Sequence, residues 1–302
     1  MAGEGFHEGE LAVQTRAGVR AQAVRLGATM LAIPDLDGGI AGFLAGRDFA
    51  VLTARDSGHR LWTSALIAPT GFLEARGRRL TVHAAPNSGD ALTGLAEDQP
   101  VGLIAIEFAT RRRLRVNGTL TCAGPNELQI AVDQAFGNCP RYIQQRQLQN
   151  TEREPAGDLL VHSATLSEED VALIIHSDTF FLGTVHSTRG ADASHRGGPP
   201  GFVRVEGGQL WWPDYPGNNM FNSLGNLAVD TSAALLFVDF ESGAGLQISG
   251  TAVVEWVTPG VAGDDGGTGR RVRFTVASVV SGHRLAVRSG APRPSPHNPQ
   301  KT

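Results

Sequence analysis

SHRGGPPGFVRVEGGQL, residues 194–210, lies without gaps on SALIAPTGFLEARGRRL, residues 64–80, at an offset of 130. Ser64/Ser194, Pro69/Pro199, Gly71/Gly201, Phe72/Phe202, Gly77/Gly207 and Leu80/Leu210 are identical. Downstream, LIAIEFATRRRLRVNGT (103–119) lies on LLFVDFESGAGLQISGT (235–251) at an offset of 132, with Leu103/Leu235, Phe108/Phe240, Leu114/Leu246, Gly118/Gly250 and Thr119/Thr251 identical. Two blocks in one order, separated by a slip of two residues, read as two copies of one module. The period is too long for a solenoid, so each copy is expected to be a domain or half of a pseudo-symmetric pair.

Each copy reads as strand-rich. Phe180–Val185 is a β-branched and aromatic run, Gly201–Val205 alternates, and Leu210–Trp212 is short. Ala233–Phe240 reads as a buried strand, and Leu246–Trp256 as another with a bulge or bend at Gly250. Many short strands between turn signals predict a mainly β fold, a small barrel or sandwich with a few helices. One helix is expected to begin in Glu8–Arg25, and Ser167-Glu-Glu-Asp170 reads as a capping box for another. The expected division is a first module with its N-terminal helical segment over 1–150, a linker over 149–158, a second module over 151–285 and a disordered Pro/Ser-rich tail over 286–302.

The chain has 302 residues, 41% of them hydrophobic and 19% charged, with 38 glycines and 16 prolines, a balance that suits short strands and turns. A formal charge of −4 argues against nucleic acid as a partner. Lys301 is the only lysine, which excludes P-loop chemistry and a lysine Schiff base in the core. Any phosphate must therefore be met by arginine, backbone N–H groups, hydroxyls or amides. Cys122 and Cys139 cannot build a disulfide framework, and neither they nor the histidines show zinc spacing. No apolar run of membrane-spanning length and no signal peptide is readable, so a soluble cytoplasmic protein is expected.

The second copy carries the richer chemistry. Ser194, His195 and Arg196 precede QLWWPDYPGNNMFNSLGNLAVD (209–230), in which Asn218, Asn219, Asn222 and Asn226 mark the start of a short helix. Amides at a helix start, beside Ser194 and Arg196 on an adjacent strand, can form an anion pocket without lysine. Asparagine at turns is commonly only a local cap, and His195 has no readable Ser/Asp arrangement to make it a general base. Leu66 stands in the first copy where Arg196 stands in the second, so the copies are expected to be unequal, one holding the anion and the other forming the opposite wall.

These segments, with FHEGELAVQTRAG (6–18), ARDSGHRLWTSALIAPTGFL (54–73) and FGNCPRYIQ (136–144), resemble the FMN-binding split barrel of the pyridoxamine 5′-phosphate oxidase-like family, in its long two-module members. The resemblance implies a tandem duplicated split barrel with FMN in the groove between modules, F420 or FAD being the alternatives. Carried onto this chain it assigns Ser194, His195 and Arg196 to the phosphate strand and Asn219, Asn222 and Asn226 to the following helix. Trp62 and Ser64 would line the flavin groove, and Cys139 would lie in a turn at the pocket edge. The implied activity is flavin-dependent oxidoreduction of an unknown small molecule, with a nicotinamide or other electron donor, in a homodimer. The alternative is a non-catalytic module that binds or sequesters F420, haem or another cofactor.

Overall fold

The computed structural model describes residues 5–30, 34–151 and 160–299. Three helices open the chain: α1 (Glu8–Arg16), α2 (Arg20–Met30) and α3 (Gly39–Ala45). The first module follows with β1 (Phe49–Arg55), β2 (Leu61–Ile67), β3 (Leu73–Arg76), β4 (Arg79–Val82), β5 (Gln99–Glu107), β6 (Arg112–Ala123) and β7 (Leu128–Gly137), then the short β8 (Gln149–Asn150). The second module has β9 (Val161–Ser163), α4 (Glu168–His176), β10 (Thr179–His186), β11 (Gly190–Gly197), β12 (Arg204–Glu206) and β13 (Gln209–Pro213). It continues with α5 (Asn222–Val229), β14 (Ser232–Val238), β15 (Ala244–Trp256), β16 (Arg270–Arg284) and β17 (Val287–Arg288).

The first sheet runs β2-β1-β5-β6-β7-β4-β3, and the second runs β11-β10-β14-β15-β16-β13-β12. These are the same order, strand for strand, and every pairing within them is antiparallel. The repeated sequence blocks fall on matching strands, 64–67 on β2 and 194–197 on β11. Each sheet curls around its own core, one built on Leu52, Leu103 and Ile130, the other on Phe180, Phe237 and Phe274. The fold is a pair of split barrels. Gly250 lies at a register shift between β15 and β16, as its place inside a strand predicts.

A third core lies between the modules, where Phe49, Ile104 and Phe108 meet Phe181, Leu236 and Phe240. Phe108 and Phe240, counterparts in the two copies, stack edge-on at 5.2 Å. A residue touching its own counterpart is the signature of an isologous contact, here made within one chain. The two modules thus pair face to face within one chain.

Two expectations change. The N-terminal helical segment, assigned by sequence to the first module, breaks at Gly18 (φ 71°), and α1 packs on α5 of the second. The reason is steric: a Cβ on Gly9 would stand 2.1 Å from Gly225 O, so only this glycine pair lets the helices cross so closely. The tail, expected to be disordered, is laid along the first module through residue 299. Val287 and Arg288 pair with Asn150 and Gln149, Arg293 bridges Gln145, and the buried Ser295 is bonded by Gln144. From residue 152 to 158 the expected linker lies outside the described residues, as do 300–302 of the tail. Among the described residues no helix is long and apolar enough to cross a membrane.

Candidate functional site

A cleft enclosing about 950 Å³, its open mouth included, lies where the modules meet. The second module supplies Ser194, His195 and Arg196 on β11, the segment 213–221, and the first turn of α5. The first supplies Arg113 and Arg115 on β6, and Asn138, Cys139, Arg141 and Tyr142 from the turn after β7. Residues two apart on a strand share a face, which is how β6 delivers both arginines to one wall. Tyr142 and Tyr215 pair across the mouth with ring centroids 4.9 Å apart.

Arg115 is buried and held from below. Its guanidinium donates to Asp192 Oδ1 at 3.2 Å and to Ser194 Oγ, and Ser194 Oγ is 2.7 Å from Ser223 Oγ at the start of α5. Asn226 also donates to Asp192, at 2.7 Å, so the carboxylate is fully engaged beneath the cleft. Arg113 donates to His195 Nδ1 at 2.8 Å and to Cys139 O at 2.6 Å. Burial, then the neighbouring Arg115 and Arg196, pull Arg113 down to about 9. Burial and three nearby arginines hold His195 well below the ordinary histidine range, so its ring is neutral. With Nδ1 accepting from Arg113, the ring proton sits on Nε2.

Five buried donors lining this cleft have no partner among the described residues: Arg113 Nε, Arg115 Nε, Arg196 Nε, His195 Nε2 and Asn138 Nδ2. The Arg196 side chain makes no hydrogen bond or ion pair among the described residues, and burial lowers its pKa. Asp214 also lines the cleft but is paired with Arg270 at 2.9 Å, so the surplus of unpartnered donors and cations calls for an acceptor-rich, anionic ligand. Backbone geometry adds to it. Tyr142 (φ 64°), Asn219 (φ 61°) and Phe221 (φ 60°) are left-handed non-glycine residues that all line the cleft, where such conformations mark functional sites. No side chain caps α5, and its first-turn residues Asn222, Ser223 and Leu224 line the same wall, the end of a helix that favours anions.

Of the residues singled out by sequence, Ser194, His195, Arg196, Asn219 and Asn222 come together here. Asn226 lies beneath, bonding Thr184 and Asp192. Trp62 and Ser64 do not reach the cleft. Trp62 sits in the first module's core with Nε1 on Asp56, and Ser64 donates to the fully buried Asp90. Ser64 is the counterpart of Ser194, but Gln247 there replaces Arg115 and bonds Ser64 Oγ at 2.7 Å. Burial raises the pKa of Asp90, and at the position equivalent to the Ser194–Arg115 contact the Ser64–Asp90–Gln247 cluster sets an acid and an amide where the cleft has arginine. Arg113, Arg115 and Arg141 were not singled out by sequence; the alternation in Arg111-Arg-Arg-Leu-Arg115 is the signal that carries the first two.

One trio, His7, Glu8 and His186, holds ligand-type atoms within 4.8 Å of one another. Both rings accept a backbone N–H at Nδ1, from Gly9 and from Thr188, each at 3.2 Å. That leaves the proton on Nε2, the nitrogen a metal would need, so the trio is built for hydrogen bonding.

The family model described as Pyridoxamine 5′-phosphate oxidase matches residues 166–260. No curated protein matches the chain. Among solved structures, HupZ of Group A Streptococcus is 15% identical with a TM-score of 0.32, covering 42% of this chain and 100% of its own. A Clostridium acetobutylicum protein related to general stress protein 26, of the pyridoxinephosphate oxidase family, is 18% identical with a TM-score of 0.28, covering 40% and 91%. The FAD binding protein from Mycobacterium smegmatis is 12% identical with a TM-score of 0.26, covering 42% and 98%. The matched segment runs from α4 through β15 and includes β11 and α5 of the cleft. Over that segment, 95 of its 302 residues, the chain is similar to the pyridoxamine 5′-phosphate oxidase family.

Proposed function

We propose that the inter-module cleft binds the phosphate-bearing flavin FMN, and that the protein is a flavin-dependent oxidoreductase acting on a small molecule. The observation that carries this reading is the set of five unpartnered buried donors around Arg113, Arg115 and Arg196. Arg196, Ser194, Ser223 and the first turn of α5 would hold the phosphate, with Arg113 and Arg115 as the opposite wall. Tyr142, Tyr215 and Trp212 offer flat apolar surface for a ring system. FMN, when bound, supplies the hydride and electron transfer, and the protein binds, orients and excludes water. His195, neutral and donating from Nε2, serves as a hydrogen-bond donor to an acceptor on the cofactor rather than as a base.

F420 and FAD are the alternative occupants, and a sequestering role the alternative to catalysis. The site needs residues of both modules and finds them in one chain, so it is complete without the homodimer expected from sequence. A cytoplasmic location and a nicotinamide or other electron donor belong to the same proposal. Mass spectrometry of the ligand released from purified protein distinguishes the cofactors, and reduction by NADH, NADPH or reduced F420 tests the redox role. Arg196→Ala is expected to weaken FMN binding by about tenfold or more while leaving the melting temperature in place. A protein that takes up no flavin and is indifferent to Arg196→Ala would sink the reading.

A further inference from the structure

No residue of FHEGELAVQTRAG, 6–18, lines the cleft, yet α1 is tied to the cleft's loop and helix at three points. Gln14, with no exposed surface, donates from Nε2 to Met220 O at 3.1 Å. Glu10 Oε1 accepts from Asn222 Nδ2 at 2.5 Å, while its Oε2 accepts from His7 N at 2.9 Å and closes the capping box of α1. Gly9 and Gly225 bring the two helix backbones into direct contact. The outer face of α1 is anchored separately, by Glu8 on His186 and by Arg16 stacked 4.4 Å over Trp256.

The place of the Gln14 contact matters. Met220 sits between the left-handed Asn219 and Phe221, in a segment entered through Pro213 and Pro216 with few backbone bonds of its own. An unfavourable backbone conformation persists only where its surroundings fix it. Here the carbonyl in the middle of that turn is held by a side chain 206 residues away in sequence. Asn222, the next residue held by α1, opens the helix whose first turn lines the cleft.

We propose that α1 is a clamp on the anion-binding end of α5, with Gln14 and Glu10 as positioning residues that hold Asn219–Asn222 in its turn. Gln14 and Glu10 touch no ligand; they act through the shape of the loop. The affinity part of this inference rests on the cofactor reading above, whereas the clamp itself does not.

The experiment compares the full-length protein with Gln14→Met, which keeps bulk but removes the donor, and with Gln14→Glu, which keeps shape but cannot donate when ionised. Arg16→Ala serves as a control that loosens α1 elsewhere. Hydrogen exchange over 218–226 is expected to accelerate about tenfold in both Gln14 variants and to stay at the wild-type rate in Arg16→Ala. Titrations with FMN and with inorganic phosphate are expected to show dissociation constants raised about tenfold in the Gln14 variants alone. Unchanged exchange over 218–226 overturns the clamp. Faster exchange with unchanged affinity reduces α1 to scaffolding and also overturns the proposal. Wild-type protein that binds neither FMN nor phosphate defeats the cofactor reading instead, and the exchange measurement still decides the clamp.

Discussion

Arg196 and Arg115 line opposite walls of the cleft and differ in what else depends on them. Arg196 has no internal partner, so its loss subtracts from ligand binding only. Arg115 neutralises Asp192 beneath the cleft, and Arg115→Ala leaves that carboxylate buried and unpaired. Arg115→Ala should therefore cost about 3–5 kcal/mol of stability in addition to FMN affinity, read by urea denaturation beside a flavin titration. His7 and Glu10 form a second informative pair, with His7 Nε2 at 3.6 Å from Glu10 Oε2. Burial is the first cause in both: it lowers His7 to about 4 and raises Glu10 to about 7. From pH 4.5 to 6.5 the folded pair carries its one proton on Glu10 and the unfolded pair carries one on His7, so the pair's contribution to stability is level there. From 6.5 to about 7 only the folded state retains a proton, and stability falls as pH rises. Glu10→Gln removes the opposing half. Its stability should climb with pH from 4 to 6.5 at up to about 1.4 kcal/mol per pH unit, then stay flat, as urea midpoints across that range would reveal.

Among elements, α1 and α5 are joined by a close backbone approach at Gly9 and Gly225. Gly9→Ala should push α1 off α5 and cost about 1–3 kcal/mol, with the loss read as a lowered melting temperature. The elements differ in how openly the sequence announces them. The capping box at Ser167 and Asp170 declares α4 because it is a local bond pattern, present in the structure with both hydrogen bonds made. β16 escaped because Ser278, Ser281 and His283 interrupt its apolar alternation; its partners β15, β13 and β9 supply the pairing that pattern alone does not foretell. Helix α1 was placed on the wrong module for a related reason, while α3 packs on β3 of the first. Chain order says that α1 precedes the first barrel, while the Gly9–Gly225 crossing is a contact over 200 residues long in sequence.

For the molecule as a whole, the repeat in the sequence foretold the architecture, since identical strand orders carry it. The site was half legible. His195 and Arg196 are visible because their copy at Ser64-Ala-Leu66 lacks them, but Arg113 and Arg115 come from the other module and only pairing of the barrels brings them in. Ser64 falls on β2 at the position that Ser194 holds on β11, but it bonds Asp90 and Gln247, and Trp62 lies in the first module's core. One FMN per chain is the expected stoichiometry, and it should hold on dilution, since both walls belong to one polypeptide; a flavin titration during size-exclusion analysis measures it.

Arg115 and Gln247, counterparts in the two modules, mark where the halves differ. In a symmetric homodimer every substitution appears in both grooves at once, so neither can be given up while the other is kept. Joining the two copies in one chain releases that constraint: Gln247 could replace arginine on one side while Arg115 stayed on the other. A homodimer of the second module alone would place glutamine where the cleft needs a cation. The covalent link between the barrels is thus a condition for the site as it stands, because it is what allows the two halves to differ.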